Sequence, residues 1–425
     1  MKLNKYIKLV DLETEYGLYN TYNSAIITLP KTYFDMDMNI IENLSEDEIN
    51  TLEEFKMFED SEQVILEELQ KKYNNESKTL VLTVELTRQC NLHCAYCYEN
   101  GLRNSSVITD EVIDQIVKYV DEISKRKEIT LLKVNYMGGE PLLAKEKMKQ
   151  TYSKLEKLCT KKNIEMRSVL NTNGVLLDKI FLNFFKNMDI SITLSNKEDH
   201  DTVRIYEDGR GSYDIILEKI KECKDVFDRD DINLDIRFNT NGENYNHFEN
   251  FLDVLLDTGV NIKQVEPMYT LEYEQNEFRN TLSKKDFLVW NSTTALDALL
   301  NRGFKIYFGL PTILKPCKAY IKDNCKVYAD GNMGLCDASD YMTRGPKLEN
   351  VLQQPDLFNI QYQQFKTWQP FNNQKCKRCP DLILCGGNYF CRQNQCDFER
   401  YNVELFIKKY IEYVLQGKEH MFVNM

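Results

Sequence analysis

The chain has 425 residues, 42% of them apolar and 28% charged, with a net charge of −12. That length exceeds one ordinary hydrophobic core and predicts a globular protein of two or three domains. No apolar run approaches the ~20 residues of a membrane span, no basic stripe marks a nucleic-acid binder, and the N-terminus lacks the apolar core and cleavage site of a signal peptide, so a cytoplasmic protein is expected, with no membrane or nucleic-acid partner.

Residues 1–80 read as a small α+β module. YIKLVDL predicts a strand, YGLYNTYNSAIITL a hairpin, and SEDEINTLEEFKMF and SEQVILEELQKKY two helices opened by serine caps with glutamates nearby. The module carries 17 acids against 8 Lys and Arg, a net of −9. That asymmetry sets it apart from the rest of the chain, either as a solvated acidic surface or as a face for a basic partner.

From residue 81 strands and helices alternate. The strands are VLTVELT, LLKVNYMGG, MRSVLNTNG, DISITLS, NLDIRFNTN and IKQVEPMY. The helices between them are TDEVIDQIVKYVDEI, AKEKMKQTYSKLEKL, DKIFLNFFKNM, YDIILEKIKECKDVF and HFENFLDVLLDTG. Six such units predict an α/β fold with a parallel sheet and crossover helices, a partial (β/α)6 TIM-like barrel rather than a closed eight-fold one. FKIYFGL is a candidate last strand. Residues 311–400 are rich in loops and cysteines, a composition that needs metal staples, and residues 401–425 open with a closing helix.

Thirteen cysteines in a long chain of odd count, with no secretion signal, point to metal or catalysis rather than to disulfides. Cys159 and Cys223 stand alone in predicted helices and read as buried spectator thiols. The other eleven fall in two groups.

The first group is Cys90, Cys94 and Cys97, spaced C-x3-C-x2-C directly after the first barrel strand. In such folds reactive groups sit on loops at the carboxyl ends of strands. Three thiolates on one loop can hold three irons of a cubane and leave the fourth open to a second ligand. A zinc site is the rival, with His93 as its only nearby imidazole. The segment RQCNLHCAYCYEN resembles the radical SAM superfamily signature, with Tyr96 as its aromatic position. The resemblance implies that a [4Fe–4S] cluster binds S-adenosylmethionine (SAM) through the open iron. On reduction SAM is cleaved to a 5′-deoxyadenosyl radical, which takes a hydrogen from the substrate.

Further segments at strand ends resemble the same family. Gly138, Gly139, Glu140 and Pro141 look like the GGEP turn that holds the SAM amino group; two glycines also let a ligand approach the backbone closely. Asn171, Thr172, Asn173 and Gly174 look like the NTNG segment of the SAM pocket. Ser191 resembles a serine that meets ribose or carboxylate, although Thr193 stands where the family usually places an Asp. His200, Asp201 and Arg204 resemble an HDxxR motif whose Arg meets the SAM carboxylate.

The second group is Cys317, Cys325 and Cys336, then Cys376, Cys379 and Cys385, then Cys391 and Cys396. Eight thiols suffice for two four-thiolate clusters or for two zinc sites. The layout, with C-x13-G-x4-C over Cys317, Gly331 and Cys336 and C-x2-C-x5-C over Cys376 to Cys385, resembles the SPASM domain, which binds two auxiliary [4Fe–4S] clusters. By that resemblance Cys317, Cys325, Cys336 and Cys391 hold one cluster, and Cys376, Cys379, Cys385 and Cys396 the other, for three clusters in all. The spacing departs from the family after Cys385.

The expected organisation is therefore an N-terminal module (1–80), a radical SAM core (81–310), a SPASM domain (311–400) and a C-terminal helix (401–425). The resemblance implies a peptide maturase acting on a ribosomally made precursor, forming a thioether or carbon–carbon crosslink, and supplied with electrons by a flavodoxin or ferredoxin. The order of hairpin and helices in residues 1–80 resembles a leader-peptide recognition element. Asp337, beside Cys336, instead resembles the catalytic Asp of anaerobic sulfatase-maturating enzymes, which oxidise Cys or Ser to formylglycine. A zinc-stabilised module without catalysis is the reading from a different class.

Overall fold

The computed structural model describes residues 1–41, 44–74, 77–99, 101–270, 278–308, 317–337, 344–385 and 401–424. The chain forms two compact units. One comprises Met1–Glu76, Leu288–Tyr320 and Thr367–Met425, and the other Ser77–Phe287 and Ile321–Lys366.

In the first unit β1 (Ile7–Leu12), β2 (Glu15–Asn20) and β3 (Ile26–Pro30) form an antiparallel sheet in that order. Helix α1 (Glu46–Glu54) starts at a full capping box, in which the Ser45 hydroxyl accepts from the Glu48 amide and the Glu48 carboxylate accepts from the Ser45 amide. Helix α2 (Glu62–Asn74) buries Ile65, Leu66 and Leu69 against Tyr6, Phe371, Leu382 and Ile383. Val10 and Tyr19 pack on Ile407 and Ile411 of the helix Tyr401–Leu415. Lys8 and Asp381, both buried, form an ion pair. The segment FKIYFGL does contain a strand, but it lies outside the barrel sheet: Ile306–Phe308 pairs in parallel with Phe422–Asn424.

In the second unit β4 (Thr79–Thr87), β5 (Leu131–Gly138), β6 (Glu165–Thr172), β7 (Met188–Thr193), β8 (Ile232–Thr240) and β9 (Gln264–Tyr269) lie side by side in chain order, every neighbouring pair parallel. Sequential order without a switch point is barrel-like winding, and the α/β partial barrel is present. Helix α3 (Asp110–Arg126) begins at the Thr109 cap and buries Val112, Ile113, Ile116, Val120 and Ile123. Helices α4 (Lys145–Lys162), α5 (Tyr213–Glu222) and α6 (Phe248–Asp257) form the later crossovers. The helix expected over DKIFLNFFKNM reduces to one turn, Lys179–Leu182. Its phenylalanines are spent on packing instead, with Phe181, Phe184 and Tyr152 meeting Phe185 edge to face.

Three short strands extend the sheet beyond β4: β10 (Cys325–Val327) parallel to β4, then β11 (Asn332–Gly334) and β12 (Arg344–Lys347), each antiparallel to its neighbour. Among the described residues no helix is long and apolar enough to cross a membrane.

Candidate functional site

Strand β4 ends at Thr87 and the cysteine loop follows. Two backbone contacts fix its start. The Gly139 amide donates to the Thr87 carbonyl at 2.9 Å and the Glu140 amide to the Gln89 carbonyl at 2.7 Å. A Cβ on Gly138, whose φ is +146°, would lie 2.1 Å from the Thr87 oxygen, and one on Gly139 2.3 Å from the Gln89 oxygen. The two glycines therefore admit the protein's own cysteine loop to the end of β5. The far side of the loop is held by His93 and Cys94, which pair antiparallel with Ile205 and Arg204.

Glu140 is fully buried. Its carboxylate accepts from the Leu142 amide at 2.9 Å, the Thr172 hydroxyl at 2.7 Å and the Asn173 amide at 2.7 Å. Burial nonetheless pushes its carboxyl above the usual carboxylate range. Glu140 ties the end of β5 to the end of β6 and is absent from the cavity wall. Asn173 binds Asn91 of the cysteine loop through its amide nitrogen at 2.8 Å.

Arg204 is buried and donates to the Tyr96 hydroxyl at 3.0 Å, and Tyr96 stacks edge to face on Phe278. His200 and Asp201 support Arg204 from behind. The Ser212 hydroxyl donates to the Arg204 carbonyl at 2.7 Å and lies 3.0 Å from His200 Nε2, and Asp201 accepts from the Tyr213 amide. Burial, and then the Arg204 charge, push the His200 imidazole well below its ordinary value, so it is neutral.

These elements line a cavity of about 750 Å³. Cys90, Cys94, Cys97, Tyr96, Gly138, Gly139, Asn171, Asn173, Ser191, Arg204 and Asp337 all line it. Burial pushes the Cys90 thiol up to about 11 and the Cys97 thiol upward as well. Among the described residues five buried polar atoms of the wall have no protein partner: Arg103 Nε, Asn171 Oδ1, Ser191 Oγ, Arg204 Nε and Thr270 Oγ1. Buried polar atoms are normally satisfied, so these five fit a polar ligand. A cavity of this size with three thiols on one loop and orphaned donors and acceptors beside them suits an iron–sulfur cluster with SAM.

Sequence reading missed Arg103, which donates to the Leu92 carbonyl at 2.5 Å and to Cys97, and missed Lys133 and Arg237 on the cavity wall. No local motif surrounds them, and only the inward period of β5 and β8 could have found the last two.

The second cysteine group is divided between the two units. Cys325 is buried in β10, level with Leu82 of β4, and Cys336 is half-buried. In the other unit Cys317 is exposed, while Cys376 and Cys379 pack against the core around Phe371. Cys385 ends the short helix Leu382–Cys385. Cys391 and Cys396 lie outside the described residues. Among the described residues no three His, Cys, Asp or Glu side chains converge into a single-ion site.

Residues 84–255 match the radical SAM superfamily model. Some curated relatives are matched over part of their length only. The chain spans 33% of a probable GTP 3′,8-cyclase of Methanococcus aeolicus, at 34% identity over 25% of this chain. It spans 53% of an S-adenosylmethionine-dependent nucleotide dehydratase of Fibrobacter, at 29% identity over 44% of this chain. A cysteine-type anaerobic sulfatase-maturating enzyme of Clostridium perfringens is matched at 24% identity over 72% of this chain and 88% of that enzyme. In fold the chain is similar to anSMEcpe with bound AdoMet, with a TM-score of 0.61 and 18% identity, covering 80% of this chain and 100% of that one. It is also similar to Streptococcus suis SuiB bound to S-adenosylmethionine, with a TM-score of 0.52 and 16% identity, covering 91% and 95%. Residues 84–255 of the chain thus carry a radical SAM superfamily domain.

Proposed function

We propose that this chain is a radical SAM maturase of a peptide or protein substrate. The observation that carries the reading is the single cavity that brings the Cys90–Cys94–Cys97 loop, the orphaned Asn171, Ser191 and Arg204 atoms and Asp337 together. Cys90, Cys94 and Cys97 would hold a [4Fe–4S] cluster. Tyr96, Gly138, Gly139, Asn171, Asn173, Ser191 and Arg204 would seat SAM, with Glu140 holding the Gly138–Gly139 turn against Asn173 rather than touching it. Bound there, the cluster and SAM supply a 5′-deoxyadenosyl radical. The protein orients the substrate hydrogen toward it.

Residues 81–310 form the radical SAM core in this reading, and residues 311–400 a SPASM domain. Two auxiliary clusters would rest on Cys317, Cys325, Cys336 and Cys391 and on Cys376, Cys379, Cys385 and Cys396. The precursor's leader would add a strand to the sheet of residues 1–80, the helix in 401–425 would close the chain, and a flavodoxin or ferredoxin would supply electrons. SuiB, similar in fold, has been solved bound to its precursor peptide SuiA, which supports a peptide as the substrate class here.

The sulfatase-maturase alternative rests on the position of Asp337 on the cavity wall, where a carboxylate could accept the substrate proton during oxidation. Anaerobically reconstituted protein should contain about 12 irons per chain and, once reduced, release 5′-deoxyadenosine from SAM. Intact clusters with no 5′-deoxyadenosine would refute the proposal. An aldehyde mass shift on a Cys-type sulfatase peptide would select the alternative.

A further inference from the structure

The cavity wall carries positive charge that neither the cysteine loop nor the surrounding fold uses. Four cations line it: Arg103, Lys133, Arg204 and Arg237. Arg204 is committed to Tyr96, and Arg103 to the Leu92 carbonyl and Cys97. Lys133 on β5 and Arg237 on β8 take part in no ion pair and no side-chain hydrogen bond among the described residues.

Strand register explains this. Lys133 is level with Val81 on one side and Arg167 on the other, and Arg167 is already paired with Glu165 at 2.7 Å. Its nearest strand neighbours are thus a valine and a second cation. Arg237 is level with Thr193 and Glu266, with Asp235 two residues earlier on the same face, and neither carboxylate closes an ion pair with it. The two-residue period of a strand turns Asn135 inward with Lys133 and Asn239 inward with Arg237. Each cation therefore has an amide neighbour one step closer to the cysteine loop. The acids on the same wall are Glu99 and Asp337. Two cations left without an ion pair in a partly desolvated cavity favour an anionic guest, and a guanidinium fork matches a carboxylate in two-point contact.

We infer that Lys133 and Arg237 form a carboxylate-recognition subsite. The substrate peptide carries a carboxylate near the residue that loses its hydrogen. Arg237, in the later half of β8, anchors it, and Lys133 draws the same acidic segment deeper. This inference rests on the peptide-maturase reading. Single cations on strands three positions apart suit separate carboxylates better than a polyphosphate, which concentrates its charge at one locus.

The test uses reconstituted holoenzyme with SAM and ligand-observed NMR titration. The probes are N-acetyl-Gly-Glu-Gly-amide, its Gln counterpart, N-acetyl-Gly-Gly-Gly as the free acid, and GTP. The Glu peptide should bind about tenfold tighter than the Gln peptide, as expected for a charge-assisted hydrogen bond. The preference should weaken with added salt, shrink in Arg237→Gln and Lys133→Gln, and survive in Arg237→Lys. Tighter binding of the Glu peptide assigns a side-chain carboxylate, and tighter binding of the free-acid tripeptide assigns the peptide C-terminus. Equal binding of the Glu, Gln and free-acid probes overturns the inference, as does a preference that persists in the double Gln variant, or GTP binding tighter than every peptide. Iron content and far-UV circular dichroism verify the variants. If a Gln variant does not fold, Arg237→Lys and the salt dependence of the unmodified enzyme decide. 5′-Deoxyadenosine release is measured alongside: its absence refutes the maturase reading, whereas release with no probe preference refutes the subsite alone.

Discussion

Replacing Gly138 by alanine separates two reasons for the glycine pair after β5. If the glycines exist to admit a ligand, Gly138→Ala should weaken SAM binding and leave the fold alone. The geometry gives their lack of a side chain a backbone reason beside any SAM contact, since a Cβ at Gly138 would lie 2.1 Å from the Thr87 carbonyl oxygen. The φ of +146° costs a non-glycine residue roughly 1–3 kcal/mol. Relieving the clash must also stretch the Gly139–Thr87 and Glu140–Gln89 hydrogen bonds, each worth about 1 kcal/mol. The expected loss is about 3–5 kcal/mol in urea unfolding of the apo-protein, accompanied by poorer iron incorporation because the loop start is displaced. The assay pairs that unfolding curve with iron content after anaerobic reconstitution. A change under about 1 kcal/mol with full iron loading would refute the backbone reason.

Three further outcomes follow from particular side chains. Burial, and then the Asp189 carboxylate, push the Asp235 carboxyl up to about 6. A raised folded value means that stability is fully present below the unfolded value near 4 and is lost as pH rises through about 6. Asp235→Asn should therefore stabilise the fold by up to about 3 kcal/mol at pH 8 and by almost nothing at pH 3.5, read from unfolding curves at both pH values; equal effects at the two would contradict the assignment. Asp381→Asn leaves the buried Lys8 ammonium uncompensated and should cost about 3–5 kcal/mol, seen as a lowered thermal midpoint. Tyr96→Phe removes the partner of Arg204 and should weaken SAM binding by about tenfold, measured by equilibrium dialysis on holoenzyme.

The parts that the sequence made legible are those with long periodic runs or fixed spacing. The six barrel strands follow from alternation or apolar runs bounded by turns, and the cysteine loop and strand-end segments from their spacing. Short elements escaped. Strands β10 to β12 have three or four residues each, too few for a period to register amid the cysteines and glycines of 325–347. FKIYFGL announced a strand through its β-branched and aromatic residues, but propensity cannot name a partner, and Phe422–Asn424 is more than a hundred residues away. The Phe-rich segment after β6 looked helical because its apolar spacing fits a helix, yet aromatic packing with Tyr152 used the same side chains without one. Glu140 sat in a recognisable motif, but its carboxylate serves Thr172 and Asn173, a contact between strand ends that spacing alone does not reveal.

The central claim is that Cys90, Cys94 and Cys97 hold a cluster with an iron open to SAM. Electron paramagnetic resonance of the dithionite-reduced, reconstituted protein, recorded with and without SAM, tests it most directly. The spectrum should change on addition of SAM, and that SAM-dependent component should vanish in Cys90→Ala/Cys94→Ala/Cys97→Ala while signals from other clusters persist. A spectrum indifferent to SAM, or a SAM response that survives the triple substitution, would contradict the claim.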